Sequence, residues 1–170
     1  MGAIRHGTAP FPIGEVSTGS GNEKLLGLEV QSDDGKVYRL YKSNGAIADP
    51  SALCFQRLSQ SGVAQHTVLL TAAVTHHCCG VAVLDQDALA AGDYFWLQVD
   101  GEMQVTIGVG VSVPTDYDFM QPCASGGGLG KVQGYGGDPG VVNEFLPLRK
   151  SGIDEDNPMR AFPMRKLWGY

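Results

Sequence analysis

The sequence predicts an all-β protein, and three observations carry that expectation. Apolar side chains alternate with polar residues or glycine over eleven positions, from Met103 to Val113. That is the period of a strand with one packed face. Two stretches, residues 25–42 and 94–113, each place strand-like runs on either side of a glycine turn. Glycine makes up 24 of 170 residues and charged residues 18%. The first is about twice the usual share and the second is below the ~25% of an average domain. Such a balance suits a turn-rich β protein or a subunit whose surface is largely covered.

Taken in order, residues 1–22 read as an irregular arm with Pro10, Pro12, five glycines and a small apolar cluster at Phe11 and Ile13. Such an arm becomes ordered only by docking on something. Residues 25–42 read as a hairpin. A three-residue loop of Asp33, Asp34 and Gly35 sets Val30 opposite Tyr38 and Leu28 opposite Leu40, with Gly35 in the left-handed position. Residues 43–62 hold a turn and a short strand at Leu53 and Phe55, although Asp49-Pro50 also resembles a helix start. Residues 63–79 are apolar and β-branched, compatible with one strand, two, or a short helix over 69–74. A short strand over 81–84 and a turn over 88–92 lead into the best-specified stretch.

That stretch sets Phe95, Leu97 and Val99 on one face and Tyr94, Trp96 and Gln98 on the other. A two-residue Asp100-Gly101 loop would oppose an apolar face to a polar one. A three-residue loop through Val99, Asp100 and Gly101 instead pairs Leu97 with Met103 and Phe95 with Val105. The face with Tyr94 and Trp96 is then either core or a subunit contact, because amphipathic aromatics serve both. Beyond it, residues 125–140 carry eight glycines. Residues 141–170 hold Pro147, Pro158, Pro163 and large apolar groups without a clear period. Phe162, Met164, Trp168 and Tyr170 are its candidate anchors. The organisation expected is an N-terminal arm over residues 1–24, a β core domain over 25–140 and an extended C-terminal arm over 141–170.

Composition excludes several function classes. A net charge of −6 argues against coating nucleic acid. No apolar run approaches the ~20 residues of a membrane helix, and residues 1–14 lack a secretory leader pattern. Cys54, Cys78, Cys79 and Cys123 are therefore expected as free thiols in a reducing cytoplasm.

Candidate chemistry is sparse. Residues 125–131 (SGGGLGK) lack the first glycine of a phosphate-binding loop, and Val132 stands where that loop needs Ser or Thr. The run His76, His77, Cys78 and Cys79 has metal-ligand residue types. Alternation along a strand lets only His76 with Cys78, or His77 with Cys79, share an ion. A zinc-dependent enzyme or zinc-stabilised binding domain is the reading that run would support, with further ligands from His6, His66, Cys54 or Cys123. Asp85 with Asp87, and Asp116 with Asp118, are carboxylate pairs lacking the additional oxygens of a calcium loop. No Gly-x-Ser-x-Gly elbow occurs. No catalytic residue, cofactor-binding residue or metal ligand is therefore assigned.

Two stretches carry a resemblance. Gly80-Val-Ala-Val, followed by Ala90-Ala-Gly-Asp-Tyr-Phe-Trp-Leu-Gln-Val-Asp-Gly101, resembles a pattern in small tailed-phage virion proteins. In that pattern an "Ala-Gly-x-Tyr-x-Trp-x-Gln" strand follows a strand with "Gly-Val-Ala". Gly35-Lys-Val-Tyr-Arg-Leu-Tyr-Lys-Ser-Asn-Gly-Ala-Ile-Ala resembles the earlier hairpin of the same proteins. The likeness covers residues 25–135, and Phe95 departs from the glycine more usual at its position. The family is that of capsid decoration, or cement, proteins. The resemblance implies a small antiparallel β-barrel or β-sandwich core, often a homotrimer, on the outer surface of a bacteriophage shell built by the major capsid protein. It implies assembly in the host cytoplasm, no catalysis and no cofactor. Phe11, Ile13, Tyr94, Trp96, Phe162, Met164, Trp168 and Tyr170 are the expected capsid or subunit contacts. A head–tail or tail-fibre component is the alternative the same core would serve.

Overall fold

A computed structural model describes residues 9–47, 52–56, 67–70, 78–85, 88–106, 108, 119–123, 130–134, 148–151 and 159–163. Among them the chain is all-β, with one short 3₁₀ turn at Ser20–Leu25. Six strands form a first sheet: β1 (Glu29–Gln31), β2 (Val37–Ser43), β3 (Leu53–Gln56), β4 (Thr67–Leu70), β5 (Cys78–Ala82) and β6 (Tyr94–Asp100). Their order is β1-β2-β4-β3-β5-β6, and β6 also pairs back with β2. Five more form a second sheet in the order β7-β11-β10-β8-β9: β7 (Met103–Val105), β8 (Phe119–Pro122), β9 (Val132–Gly134), β10 (Leu148–Ser151) and β11 (Met159–Pro163).

The β1–β2 hairpin forms in the register its turn dictates. Val30 lies opposite Tyr38, and the Leu40 amide donates to the Leu28 carbonyl at 3.0 Å. Gly35 has φ +83°, a backbone state that costs glycine no Cβ clash. The Ser32 amide donates to the Lys36 carbonyl at 2.9 Å and Gly35 donates back to Ser32 at 3.0 Å. The turn is thus closed by local bonds, which is why residues 32–36 alone fix the pairing. The strand at Leu53 and Phe55 is β3, and residues 67–70 of the ambiguous apolar stretch are strand β4.

The expected second hairpin is not one. β6 pairs with β2 along one edge, Leu97 opposite Arg39 and Phe95 opposite Tyr41, and with β5 along the other. No edge of β6 remains for β7. At Gly101, φ +85° as the loop argument requires, the chain leaves the first sheet and enters the second. There Met103 meets Ala161 and Val105 meets Met159. Gln98, 5% exposed, holds this crossover: its Nε2 donates to the carbonyls of Asp100 at 3.2 Å and Glu102 at 2.7 Å.

The C-terminal stretch also departs from expectation. Residues 148–151 and 159–163 are not an extended arm: they pair with each other, and β11 lies between β7 and β10. Pro147 and Pro158 precede the two strands and Pro163 ends the second. Those are the boundary positions where a missing N–H does least harm to a ladder. Thr106 and Gly108 bond to the same sheet, the Val132 amide donating to the Thr106 carbonyl and the Gly108 amide to the Val132 carbonyl, each at 2.9 Å.

Both faces of the β2–β6 pair are buried. One face contributes Tyr41, Phe95 and Leu97 to a core with Ile47, Cys54 and Val68. The opposite face contributes Tyr38, Leu40, Tyr94 and Trp96 to a second core, closed by Ala9, Phe11, Ile13, Leu26 and Leu28. Burial of a large apolar side chain is worth about 1.5–3 kcal/mol, so the N-terminal segment is held by its own anchors.

Candidate interaction surface

The N-terminal segment crosses the β2–β6 face as a strap. The Phe11 ring lies 5.7 Å from the Trp96 ring, tilted by 48°. The Trp96 indole Nε1 donates to the Phe11 carbonyl at 3.2 Å. Three residues on, Gly14 accepts from the Asp85 amide at 2.8 Å. Its φ of +99° is a state that favours glycine, and a Cβ there would also displace the Asp85 carboxylate, 2.5 Å away. Ser17 and Tyr94 then exchange backbone bonds of 2.9 and 2.8 Å. Pro10 and Pro12, which have no N–H to satisfy, are exposed on the outer side of the strap.

A polar latch closes its far end. Asn22 Nδ2 donates to Ser17 Oγ at 2.7 Å. Lys42 Nζ reaches the Glu23 carboxylate at 2.9 Å and lies 5.3 Å from the centre of the Tyr94 ring. The Tyr94 hydroxyl donates to the same carboxylate. Lys42 foremost, then Tyr94, holds the Glu23 carboxyl below its ordinary range. The same contacts raise Lys42, chiefly through Glu23, and raise the Tyr94 hydroxyl, whose proton the carboxylate retains. These groups stand 19 and 71 residues apart in sequence, and no local pattern announces them.

The expected contact residues divide accordingly. Trp96 is wholly buried and Tyr94 is 4% exposed. Their face packs as core beneath the strap. Phe11 and Ile13 are half-buried against the chain's own core. Phe162 lies in β11 opposite Arg149. Met164, Trp168 and Tyr170 fall outside the described residues. What the strap leaves open is its outer side, with Pro10, Pro12, Glu15 and Thr18 exposed and Leu25, 37% exposed, at the end of the 3₁₀ turn.

Of the metal-ligand run, His76 and His77 lie outside the described residues. Cys79 Sγ donates to the Cys54 carbonyl at 3.4 Å and Cys54 Sγ to the Ala52 carbonyl at 3.6 Å. Both thiols thus lie against backbone within the sheet. Burial raises the Cys123 thiol. Among the described residues no three His, Cys, Asp or Glu side chains converge as a metal site would need. Asp85 is exposed; Asp87, Asp116 and Asp118 lie outside the described residues, as does most of the glycine-rich loop. Comparison with known protein families, curated proteins and solved structures finds no match to this chain.

Proposed function

We propose that this chain is a virion structural protein: a capsid decoration protein that binds the outer surface of a shell built by the major capsid protein and stabilises it. The observation that carries the reading is the placement of the resembling stretches. Residues 35–48 and 90–101 supply β2 and β6, which pair from Val37 with Asp100 to Lys42 with Tyr94, and Gly80 to Ala82 lie in β5 beside them. Stretches far apart in sequence that share one resemblance thus meet at the centre of one sheet. The pairing of β6 with both β5 and β2 supports the finer reading of that sheet as a small barrel, since it links the last strand to the second.

The proposed mechanism uses the surface the strap leaves open. Its prolines and the 3₁₀ turn form a pre-ordered ridge, so docking costs little chain entropy. Met164, Trp168 and Tyr170 supply apolar anchors to grooves between capsid subunits. Repetition over many copies multiplies a modest gain per copy. The protein acts as a homo-oligomer, a trimer in the reading favoured by the resemblance, in the virion after assembly in host cytoplasm.

The test is co-sedimentation of the purified chain with expanded empty shells of a candidate phage, followed by electron microscopy. Saturable binding over the whole shell, lost when Trp168 and Tyr170 are replaced by alanine, is the expected result. Density confined to one vertex would move the protein to the head–tail connection. Failure to bind any shell from particles that contain this chain would overturn the proposal.

A further inference from the structure

Asparagine occurs at positions 22, 44, 143 and 157, and the residue that follows each governs what its amide can undergo. The next backbone nitrogen can attack the side-chain carbonyl carbon and close a cyclic imide. Asn157 precedes Pro158, whose nitrogen carries no hydrogen. Asn22 and Asn143 precede glutamates, whose side chains crowd the approach. Asn44 precedes Gly45, which has no Cβ to obstruct it.

The structure exposes this pair. Asn44 follows the end of β2 and is exposed, while its own amide is fixed to the Val68 carbonyl at 2.9 Å. The Gly45 N–H lies outside the backbone ladder. It meets the Ser43 hydroxyl at 3.3 Å, beyond the ordinary length of such a bond, so little is lost when the nitrogen turns to attack. Asn22 is the contrary case. Its Nδ2 is bound to Ser17 Oγ at 2.7 Å, and its backbone lies in the 3₁₀ turn.

We infer that Asn44-Gly45 is a modification site, at which the chain deamidates itself without an enzyme. The Gly45 nitrogen gives up its proton and bonds to Asn44 Cγ. The Cγ–Nδ2 bond breaks, and the nitrogen leaves as ammonia with that proton. Water then opens the imide at either carbonyl, yielding aspartate or isoaspartate. Water is the sole co-reactant, and no electron changes hands.

The two products differ in what they do to the fold. Each adds one negative charge to a chain of net charge −6. Isoaspartate also inserts a methylene into the backbone three residues before Ile47. Ile47 is wholly buried and exchanges bonds of 3.1 and 2.9 Å with Leu89. The aspartyl form keeps that pairing; the isoaspartyl form strains it and unfolds at lower temperature.

The test is incubation of the full chain at mildly alkaline pH, with peptide mass mapping that separates asparagine, aspartate and isoaspartate. Expected is amide-to-acid conversion concentrated at position 44, faster as pH rises, and strongly slowed by Gly45→Ala. Among the described residues a Cβ at Gly45 would meet only the Leu69 Cδ2 methyl, at 3.0 Å, a side-chain end that can yield. That variant is therefore expected to fold, which a thermal melt verifies. Conversion at Asn44 no faster than at Asn22 or Asn143, or unchanged in a folded Gly45→Ala protein, would overturn the inference.

Discussion

Replacing Trp96 is the most direct probe of the strap. The side chain is wholly buried and is the largest so enclosed among the described residues. Trp96→Ala should cost about 3–5 kcal/mol, which at this chain length lowers the melting temperature by roughly 6–20 °C. Trp96→Phe keeps an aromatic body against Phe11 but deletes the 3.2 Å bond to the Phe11 carbonyl. Its cost should be about 1–3 kcal/mol, of which ~0.5–1.5 is the hydrogen bond and the rest the void left by a smaller ring. The assay is urea unfolding in a Trp168→Phe background, where Trp96 is the sole indole. Native emission should be blue-shifted and resistant to iodide, and Phe11→Ala should open it to quencher. A double-mutant cycle between Phe11→Ala and Trp96→Ala should return a coupling of about 0.5–1.5 kcal/mol, the size of an aromatic pair beyond its buried area. Water-like emission with free quenching, or effects that add to within ~0.3–0.5 kcal/mol, would refute the placement of the strap over this face.

Three other outcomes are expected. Gly80→Ala places a Cβ 2.7 Å from the Gln98 carbonyl and should cost about 1–3 kcal/mol as overpacking; Gly21→Ala, with nothing within 4 Å, should stay within ~0.5 kcal/mol, and equal urea midpoints would contradict the close approach of β5 to β6. The Glu23 carboxyl is lowered in the folded state by Lys42 and Tyr94, so its contribution is present above the unfolded value of ~4.3 and fades as pH falls through the folded one; the melting-temperature gap between wild type and Glu23→Gln should therefore close on acidification, and a constant gap would argue against the latch. Removal of residues 148–170 takes β11 from β7 and β10 from β8 and should lower the melting temperature and solubility, whereas an unchanged melt would restore the view of this stretch as a detachable arm.

What the sequence revealed depended on how locally each feature is determined. The β1–β2 register was legible because Asp33, Asp34 and Gly35 decide it within five residues. The same logic located the left-handed glycine at 101 but chose the wrong partner. Turn geometry constrains the chain at the turn; strand pairing is decided by which edges are free. A signal was present: Tyr94, Phe95, Trp96 and Leu97 are four large apolar residues in succession, the mark of a strand buried on both faces. The C-terminal strands are hidden because their apolar spacing is irregular, with no period to mark a strand. Pro147, Pro158 and Pro163 stand at the boundaries of these strands. The latch of Glu23, Lys42 and Tyr94 was out of reach, since its members meet only after the sheet has formed.

The position of β11 bears on how the chain is made. The first sheet is complete once Asp100, the end of β6, has been synthesised. The second is not, because its strand between β7 and β10 is residues 159–163, well after β7 in sequence. Until those residues leave the ribosome, Met103–Val105 waits without its partner, and contacts spanning more than fifty residues close last. Non-local pairing of this kind is slow, and open strand edges invite association between nascent chains. Translation that stalls short of Met159 should therefore yield a folded first half joined to a sticky, incomplete second.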